Sequence, residues 1–198
     1  VKCSPASTRL LRIDAARSSA ALVSLTQSDG ETAKAVVSDP TARYVAFDVR
    51  HSYPEPTYLG EVENQDLHAA DSLDMVIIIP ASGNLLGEAQ RLSDAHAEHD
   101  GLRVGIFRAD QIYNEFSSGT PDATAYRRFL KMLYDRARTD AEAPRYLLFM
   151  GDCAWDNRMI SNGWKSYSPD DYLLCYESDD SFSDIHCYGM EDYFGLLD

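Results

Sequence analysis

Three short, mainly apolar runs punctuate the second part of the chain, at residues 74–80, 102–107 and 145–151. Breaker residues such as Pro80 and Gly151 bound them. Apolar runs of this length without regular polar alternation are typical of strands buried on both faces of a sheet. The pattern therefore predicts three strands, of which 74–80 and 145–151 are buried on both faces.

The segments between these runs have helical periodicity. Residues 85–99 repeat apolar positions every three to four residues, and Gly101 follows where a left-handed cap ends a helix. Residues 110–116 predict a short helix. A longer helix is predicted from a Thr120 cap, with Pro121 at its first position, to about Asp140. Its apolar stripe comprises Ala123, Tyr126, Phe129, Leu130, Leu133, Tyr134 and Ala137.

Strands that alternate with helices favour a parallel sheet, because parallel neighbours need a crossover connection. We predict an α/β fold with a flavodoxin-like parallel sheet, flanking helices, and the 74–80 strand between the other two. Ligands gather at the carboxyl ends of strands in such sheets. Gly151 and Asp152 mark that end, so a site is expected near them.

The first part of the chain has shorter apolar runs, at residues 9–13, 20–25 and 44–47. Their spacing predicts strands, and we interpret residues 1–60 as the end of a preceding β module. Residues 61–73 then form a linker, and residues 74–198 form the main domain. After Asp152 the pattern loosens, and short strands are predicted at 172–176 and 192–198.

The charge of the chain is −14, which argues against nucleic acid and anionic membranes as partners. No apolar run approaches the ~20 residues of a membrane-spanning helix. Residues 166–198 contain nine acidic residues and no Lys or Arg. Such a segment is either a solvated acidic surface or a site for a hard cation.

The four cysteines, Cys3, Cys153, Cys175 and Cys187, match no zinc-binding spacing. Cys175 and Cys187 are close enough in sequence to form a disulfide, while free thiols are the favoured interpretation. Cys153 follows a predicted strand and is a candidate nucleophile, although a thiol needs a base or a positive field to ionise.

The histidines give no clear site. His96 and His99 share one helix face at metal-ligand spacing, but they continue its apolar stripe, so we interpret them as half-buried packing residues. His186 and Cys187 are adjacent, and neighbouring side chains on an extended chain point apart. The sequence also lacks the motifs of dinucleotide binding, phosphate loops, zinc hydrolases and serine esterases.

Five segments in order resemble the gingipain family of cysteine peptidases, and within it the PorU-type sortases of the type IX secretion system. The resemblance is clear over residues 74–198 and looser upstream through 44–47 and 62–68. The segments are Asp74–Ile78, Gln111–Gly119, Tyr126–Lys131, Tyr146–Asp152 and Glu191–Asp198. The chain departs from the family pattern at Cys153–Trp155, where relatives carry smaller residues.

The resemblance implies a caspase-like α/β domain whose catalytic His and Cys follow the 191–198 segment. The residues present would then be the non-catalytic N-terminal portion, forming the scaffold and rim of the active site. The implied partners are the C-terminal half of the domain and a protein or peptide substrate. The location implied is extracellular or at the outer-membrane surface. No histidine or cysteine of this chain matches the catalytic positions; the histidines are His51, His68, His96, His99 and His186.

Relatives in this family bind calcium, so the resemblance also implies a calcium ion in the acidic segment. The candidate ligands are Asp179, Asp184 and Asp192. We further expect the chain to self-associate through its last strand, since an exposed strand edge invites pairing. The alternative is a flavodoxin-like binding or interaction domain without peptidase activity, because fold alone does not fix function.

Overall fold

The computed structural model describes residues 6–14, 19–29, 32–58, 60–178, 180 and 186–198. The chain divides into two compact units, Val1–Glu61 and Val62–Asp198. In the described residues, no helix is long and apolar enough to cross a membrane.

The first unit is built from antiparallel strands. Strands β1 (Thr8–Asp14), β2 (Ser19–Val23) and β5 (Arg43–Asp48) form one sheet in the order β2-β1-β5, and β3 (Thr26–Asp29) pairs with β4 (Thr32–Lys34). The strands predicted at 9–13, 20–25 and 44–47 are thus confirmed in position. The β3–β4 hairpin was not predicted.

The second unit contains a three-stranded parallel sheet. Strands β6 (Met75–Ile79), β7 (Val104–Arg108) and β8 (Tyr146–Phe149) lie in the order β7-β6-β8, which confirms the predicted central position of β6. The registers Met75↔Val104 and Met75↔Tyr146 place all three strand starts at one end.

All five residues of β6 are buried, because helices cover both faces of the sheet. Val76 and Ile78 belong to a cluster with residues of α2 (Ala109–Phe116) and α3 (Ala123–Arg136). Met75, Ile77 and Ile79 pack on the other face with Ala89 of α1 (Leu86–Asp100). Burying each such large side chain contributes roughly 1.5–3 kcal/mol, so β6 is the main apolar anchor of this unit.

Burial on both faces was also predicted for residues 145–151, and for β8 this is confirmed only in part. Leu147 and Phe149 pack against one cluster and Leu148 packs against the other, but none of them is fully buried. Tyr146 is 52% exposed and the remaining residues of β8 are half-buried. The reason is topological: among the described strands, β8 pairs only with β6 and lies at the sheet edge.

Three details of the helices differ from prediction. Helix α3 is capped by Asp122, whose side chain accepts a hydrogen bond from the Thr124 amide, so the cap predicted at Thr120 is wrong. His96 is half-buried as predicted, whereas His99 is exposed. Residues 192–198 contain a short helix, α4 (Asp192–Gly195), and not the predicted strand.

Asp74 joins the amino ends of the parallel strands. Its buried carboxylate accepts hydrogen bonds from the Arg103 amide (2.9 Å), the Arg103 guanidinium (2.7 and 3.1 Å) and the Arg145 guanidinium (2.9 Å). The Asp74 carbonyl also accepts the amides of Arg145 and Tyr146. Loops lie at the opposite, carboxyl end of the sheet.

Candidate functional site

The carboxyl end of the sheet opens onto a cavity of about 1070 Å³. Its lining comes from the loops after β6 and β8 and from the starts of α2 and α3. The lining includes Ala81, Ala109, Tyr113, Asp122, Ala123, Trp155, Asp156, Asn157, Arg158, Asp170, Tyr172, Leu174, Cys175, Tyr176 and Glu177. This location agrees with the expected position of ligand sites in open α/β sheets.

A short parallel pair of strands fixes one wall of the cavity. Strand β9 (Cys153–Ala154) pairs with β10 (Leu173–Leu174), so Cys153 itself lies on a short strand. The Asn157 side chain extends this pairing. Its amide nitrogen donates to the Cys175 carbonyl (2.9 Å), and its oxygen accepts the Cys175 amide (3.0 Å).

Asp156 organises the loop that follows β9. Its buried carboxylate accepts the backbone amides of Ser161 (2.7 Å), Ile160 (3.0 Å) and Arg158 (3.3 Å). These hydrogen bonds, that of Ser161 foremost, lower the pKa of Asp156, so the side chain stays ionised. Met159 is buried and adopts a left-handed backbone conformation, with φ of 52°.

A buried pair of tyrosines lies beneath the cavity. The hydroxyls of Tyr113 and Tyr126 form a short hydrogen bond, and the Tyr126 oxygen also accepts the Leu174 amide (3.4 Å). Burial raises the pKa of Tyr126 to about 12 and raises that of Tyr113 further. Both phenols therefore remain neutral and serve as fixed hydrogen-bonding groups.

The thiol in the cavity wall is not an activated nucleophile. The Cys175 sulfur donates to the Ala154 carbonyl (3.4 Å). Burial first, and then the proximity of Cys153 and Glu177, raises the pKa of Cys175 to about 11. In the described part of the chain, no histidine forms a hydrogen bond with Cys153 or Cys175. Cys175 carries a free thiol, so the candidate disulfide with Cys187 is not formed.

A smaller pocket of about 540 Å³ lies directly past the ends of β6 and β8. Pro80, Gly151, Asp152 and Tyr172 line it, and the Asn84 amide donates to Asp171 across it (3.0 Å). Gly151 and Asp152 therefore do lie at a concave surface, as expected from the sequence.

The predicted calcium ligands are described only in part. Asp192 is exposed and begins α4. Asp179 and Asp184 lie outside the described residues, so the structure brings no calcium site together and the site stays a prediction.

A different group of potential metal ligands, Asp66, His68 and Glu115, lies within 4.8 Å of one another. Hydrogen bonds already occupy the Glu115 carboxylate. One oxygen accepts from Gln65 (2.8 Å) and the Leu67 amide (2.7 Å), and the other from the amide (3.1 Å) and ring (2.5 Å) of His68. These hydrogen bonds attach residues 65–69 to α2, so we interpret the group as a structural contact and not as a metal site.

Trp155 and Asp156 were not predicted as site residues. An Asp-Asn pair at 156–157 is a turn signal that would have located the loop. The cavity itself could not be read from the sequence, because its lining residues are separated by up to about 100 positions.

Comparison with known proteins gives a family match and a structural match. The family model described as peptidase family C25 matches residues 68–198. The crystal structure of dimeric latent PorU from Porphyromonas gingivalis is 33% identical, with a TM-score of 0.78 over the whole of this chain. The chain spans 19% of the length of that structure's chain. A comparison with curated proteins found no match.

Proposed function

We propose, from the premise that this chain belongs to peptidase family C25, the gingipain family, that it forms the scaffold and rim of a cysteine peptidase active site. In this proposal the catalytic Cys and His are supplied by sequence beyond Asp198. The parent protein then cleaves or transfers peptide bonds through a thiolate and a histidine base.

The observation that carries the proposal is the state of the cavity thiol. A nucleophilic cysteine needs a lowered pKa and a base within hydrogen-bond reach. Cys175 has a raised pKa and bonds to a backbone carbonyl. The cavity thus has the position of an active site in this fold class but lacks the activated nucleophile, which supports a rim role.

The test is reconstitution of the peptidase domain. The 198-residue chain, the C-terminal half of the parent domain, and the two produced together are each assayed for thiol-dependent cleavage of a mixed peptide library. We expect cleavage only from the joined halves, and the same rate when the joined protein carries Cys153→Ala. Thiol-dependent cleavage by the chain alone, abolished by Cys153→Ala, would contradict the proposal.

The same proposal assigns partners and a location. The loops after β6 and β8 face the C-terminal half, and a protein or peptide substrate lies between them. The parent works outside the cell or at the outer-membrane surface, as the family membership supports. The last strand, through which self-association was predicted, is instead the helix α4, but β8 is an edge strand among the described strands. We still expect the isolated chain to self-associate, now through that edge, which sedimentation at increasing concentration measures.

We also propose that calcium binds the acidic segment through Asp179, Asp184 and Asp192. A ligand that binds only the folded state raises the melting temperature in proportion to its occupancy. Millimolar calcium should raise the melting temperature of the chain, and Asp192→Asn should reduce the rise. Equal melting curves with calcium and with a chelator would count against the site.

A further inference from the structure

Trp155 is an exposed aromatic residue on a loop that is fastened on both sides. The indole is 67% exposed and lines the mouth of the 1070 Å³ cavity. Ala154, before it, is buried in β9. After it, Asp156 holds three backbone amides and Asn157 makes two hydrogen bonds to Cys175.

Fixing this loop costs conformational entropy, and within this chain the indole gains no free energy from burial. An exposed aromatic side chain carried on a fixed backbone at the mouth of a cavity is suited to anchor a ligand, because little further ordering of the backbone is needed when it is covered. The arrangement around Trp155 is therefore that of a preformed contact for a ligand.

The cavity next to Trp155 has room for a large apolar side chain. Ala81, Ala109 and Ala123 line it with nothing larger than methyl groups. Tyr172 and Tyr176 add aromatic walls, and Tyr176 is fixed by stacking on Tyr193 with ring centroids 3.6 Å apart. A cavity of this volume is at the upper limit for a small ligand, so it accommodates several residues of an extended chain.

The charge of the cavity lining determines which extended peptides are favoured. Among the described residues, the cavity lining carries the carboxylates of Asp122, Asp170 and Glu177 and a single basic side chain, that of Arg158. Two carboxylates of the lining are already engaged: Asp156 accepts backbone amides, and Asp122 caps α3 and lies 3.8 Å from the Arg128 guanidinium. Asp170 and Glu177 still outnumber Arg158. The excess of negative charge favours a segment that carries lysine beside its apolar residue and disfavours one that carries glutamate.

We propose that the cavity binds an extended peptide segment and that Trp155 anchors an aromatic side chain of that segment. The choice of a peptide as the occupant rests on the proposed function. The segment is recognised by aromatic contact with Trp155 and Tyr172 and by the carboxylates of the lining. Trp155 thus determines specificity in a site whose catalytic groups come from elsewhere.

The experiment is isothermal titration calorimetry of the 198-residue chain with three blocked hexapeptides. One carries a phenylalanine between two lysines, the second replaces the phenylalanine by alanine, and the third replaces both lysines by glutamates. We expect the first to bind at least about tenfold more tightly than either of the others. No peptidase activity is needed, so failure of the reconstitution assay leaves this result interpretable, and the reverse also holds.

Variants locate the contact. Trp155→Ala should weaken binding of the phenylalanine peptide by about tenfold to thirtyfold and leave the alanine peptide unchanged. Trp155→Phe should retain most of the affinity. The matched control is Ile160→Ala, because Ile160 is 66% exposed on the same loop but does not line the cavity. It should bind like the unmodified chain.

A further variant tests the role of the fixed loop. Asp156→Ala removes the acceptor of three amides while leaving the indole in place, and it should weaken the phenylalanine peptide by a smaller factor. Circular dichroism of each variant checks that the fold is kept.

Three outcomes would overturn the proposal. The first is equal affinity of the chain for the phenylalanine and alanine peptides. The second is binding of soluble oligosaccharides in preference to any peptide. The third is that Trp155→Ala weakens binding of the C-terminal half but does not weaken binding of the peptides. The last would identify Trp155 as a contact between the two halves.

Discussion

At the scale of single residues, two carboxylates do most to connect segments distant in sequence. Asp74 is buried between two arginines that remain about half exposed, and it binds residues 29 and 71 positions away. Hydrogen bonds from Arg103 foremost, and from Arg145, hold the pKa of Asp74 well below its usual range. The ionised form is therefore favoured in the folded state over the unfolded state.

Asp74→Asn is expected to lower the free energy of unfolding by about 2 kcal/mol at neutral pH, because the arginines lose their counter-charge while still partly buried. Urea denaturation measures the change. Asp71→Asn, an exposed carboxylate three positions earlier, is the control and should be nearly neutral. Equal effects of the two substitutions would show that the buried hydrogen bonds contribute nothing specific.

Glu115 is the second such residue, and its stabilising effect depends on pH. Burial by itself raises the pKa of Glu115, but hydrogen bonds from Leu67, Gln65 and His68 outweigh it and lower the pKa to about 2. A depressed pKa means that the contribution is present above the unfolded pKa of about 4.3 and is lost as the pH falls towards 2.

We expect Glu115→Gln to cost about 2 kcal/mol of stability at pH 7 and progressively less below about pH 4. Denaturation curves of the unmodified chain and of Glu115→Gln between pH 7 and pH 2 should show that their difference in free energy of unfolding becomes smaller as the pH falls. The control is Glu98→Gln, at an exposed position on α1, which should be as stable as the unmodified chain at every pH. A difference that does not change with pH would rule out ionisation as the cause.

At the scale of elements, the end of β8 requires glycine. Gly151 has φ of 149°, and a Cβ there would lie 2.9 Å from Cγ of the Pro80 ring at the end of β6. The two strands approach so closely that neither the backbone conformation nor the space admits a side chain.

Gly151→Ala should destabilise the chain by about 1–3 kcal/mol, since it combines backbone strain with a contact against a rigid ring. Thermal unfolding compares it with Gly163→Ala, where nothing lies within 4 Å and φ is not in the left-handed region. A melting temperature for Gly151→Ala equal to that of the control would mean that the backbone relaxes at no cost.

The elements also show where sequence patterns suffice. The run of β-branched residues in β6 and the stripe along α3 were sufficient to predict both, because their burial is expressed in local periodicity. Residues 192–198 were misread since their conformation depends on distant contacts. Phe194 packs on Tyr126 and Phe149, and Arg127 donates to the Tyr193 and Leu196 carbonyls. The local sequence of residues 192–198 gives no indication of those partners.

At the scale of the whole molecule, the core formed by the described residues lies in the second unit. Both apolar clusters are made only of residues between Leu67 and Leu197. We therefore expect residues 62–198 to fold without the first unit. The measurement is a urea transition of this shorter chain, followed by far-ultraviolet circular dichroism and by tyrosine and tryptophan fluorescence. Coincident cooperative transitions are expected, and a gradual loss of signal would contradict it.

The concentration of charged hydrogen bonds around Asp74 affects how the sequence of this protein can evolve. Those bonds secure the amino ends of the strands, whereas Trp155 and its neighbours lie beyond the opposite ends. Mutations in the loop at 155–168 can therefore alter what the surface contacts without loosening the strand starts. A library randomised at the exposed positions of this loop, with Asp156 and Asn157 kept, should consist mostly of folded proteins. Selection can then act on recognition alone, because the stability of the sheet is maintained elsewhere.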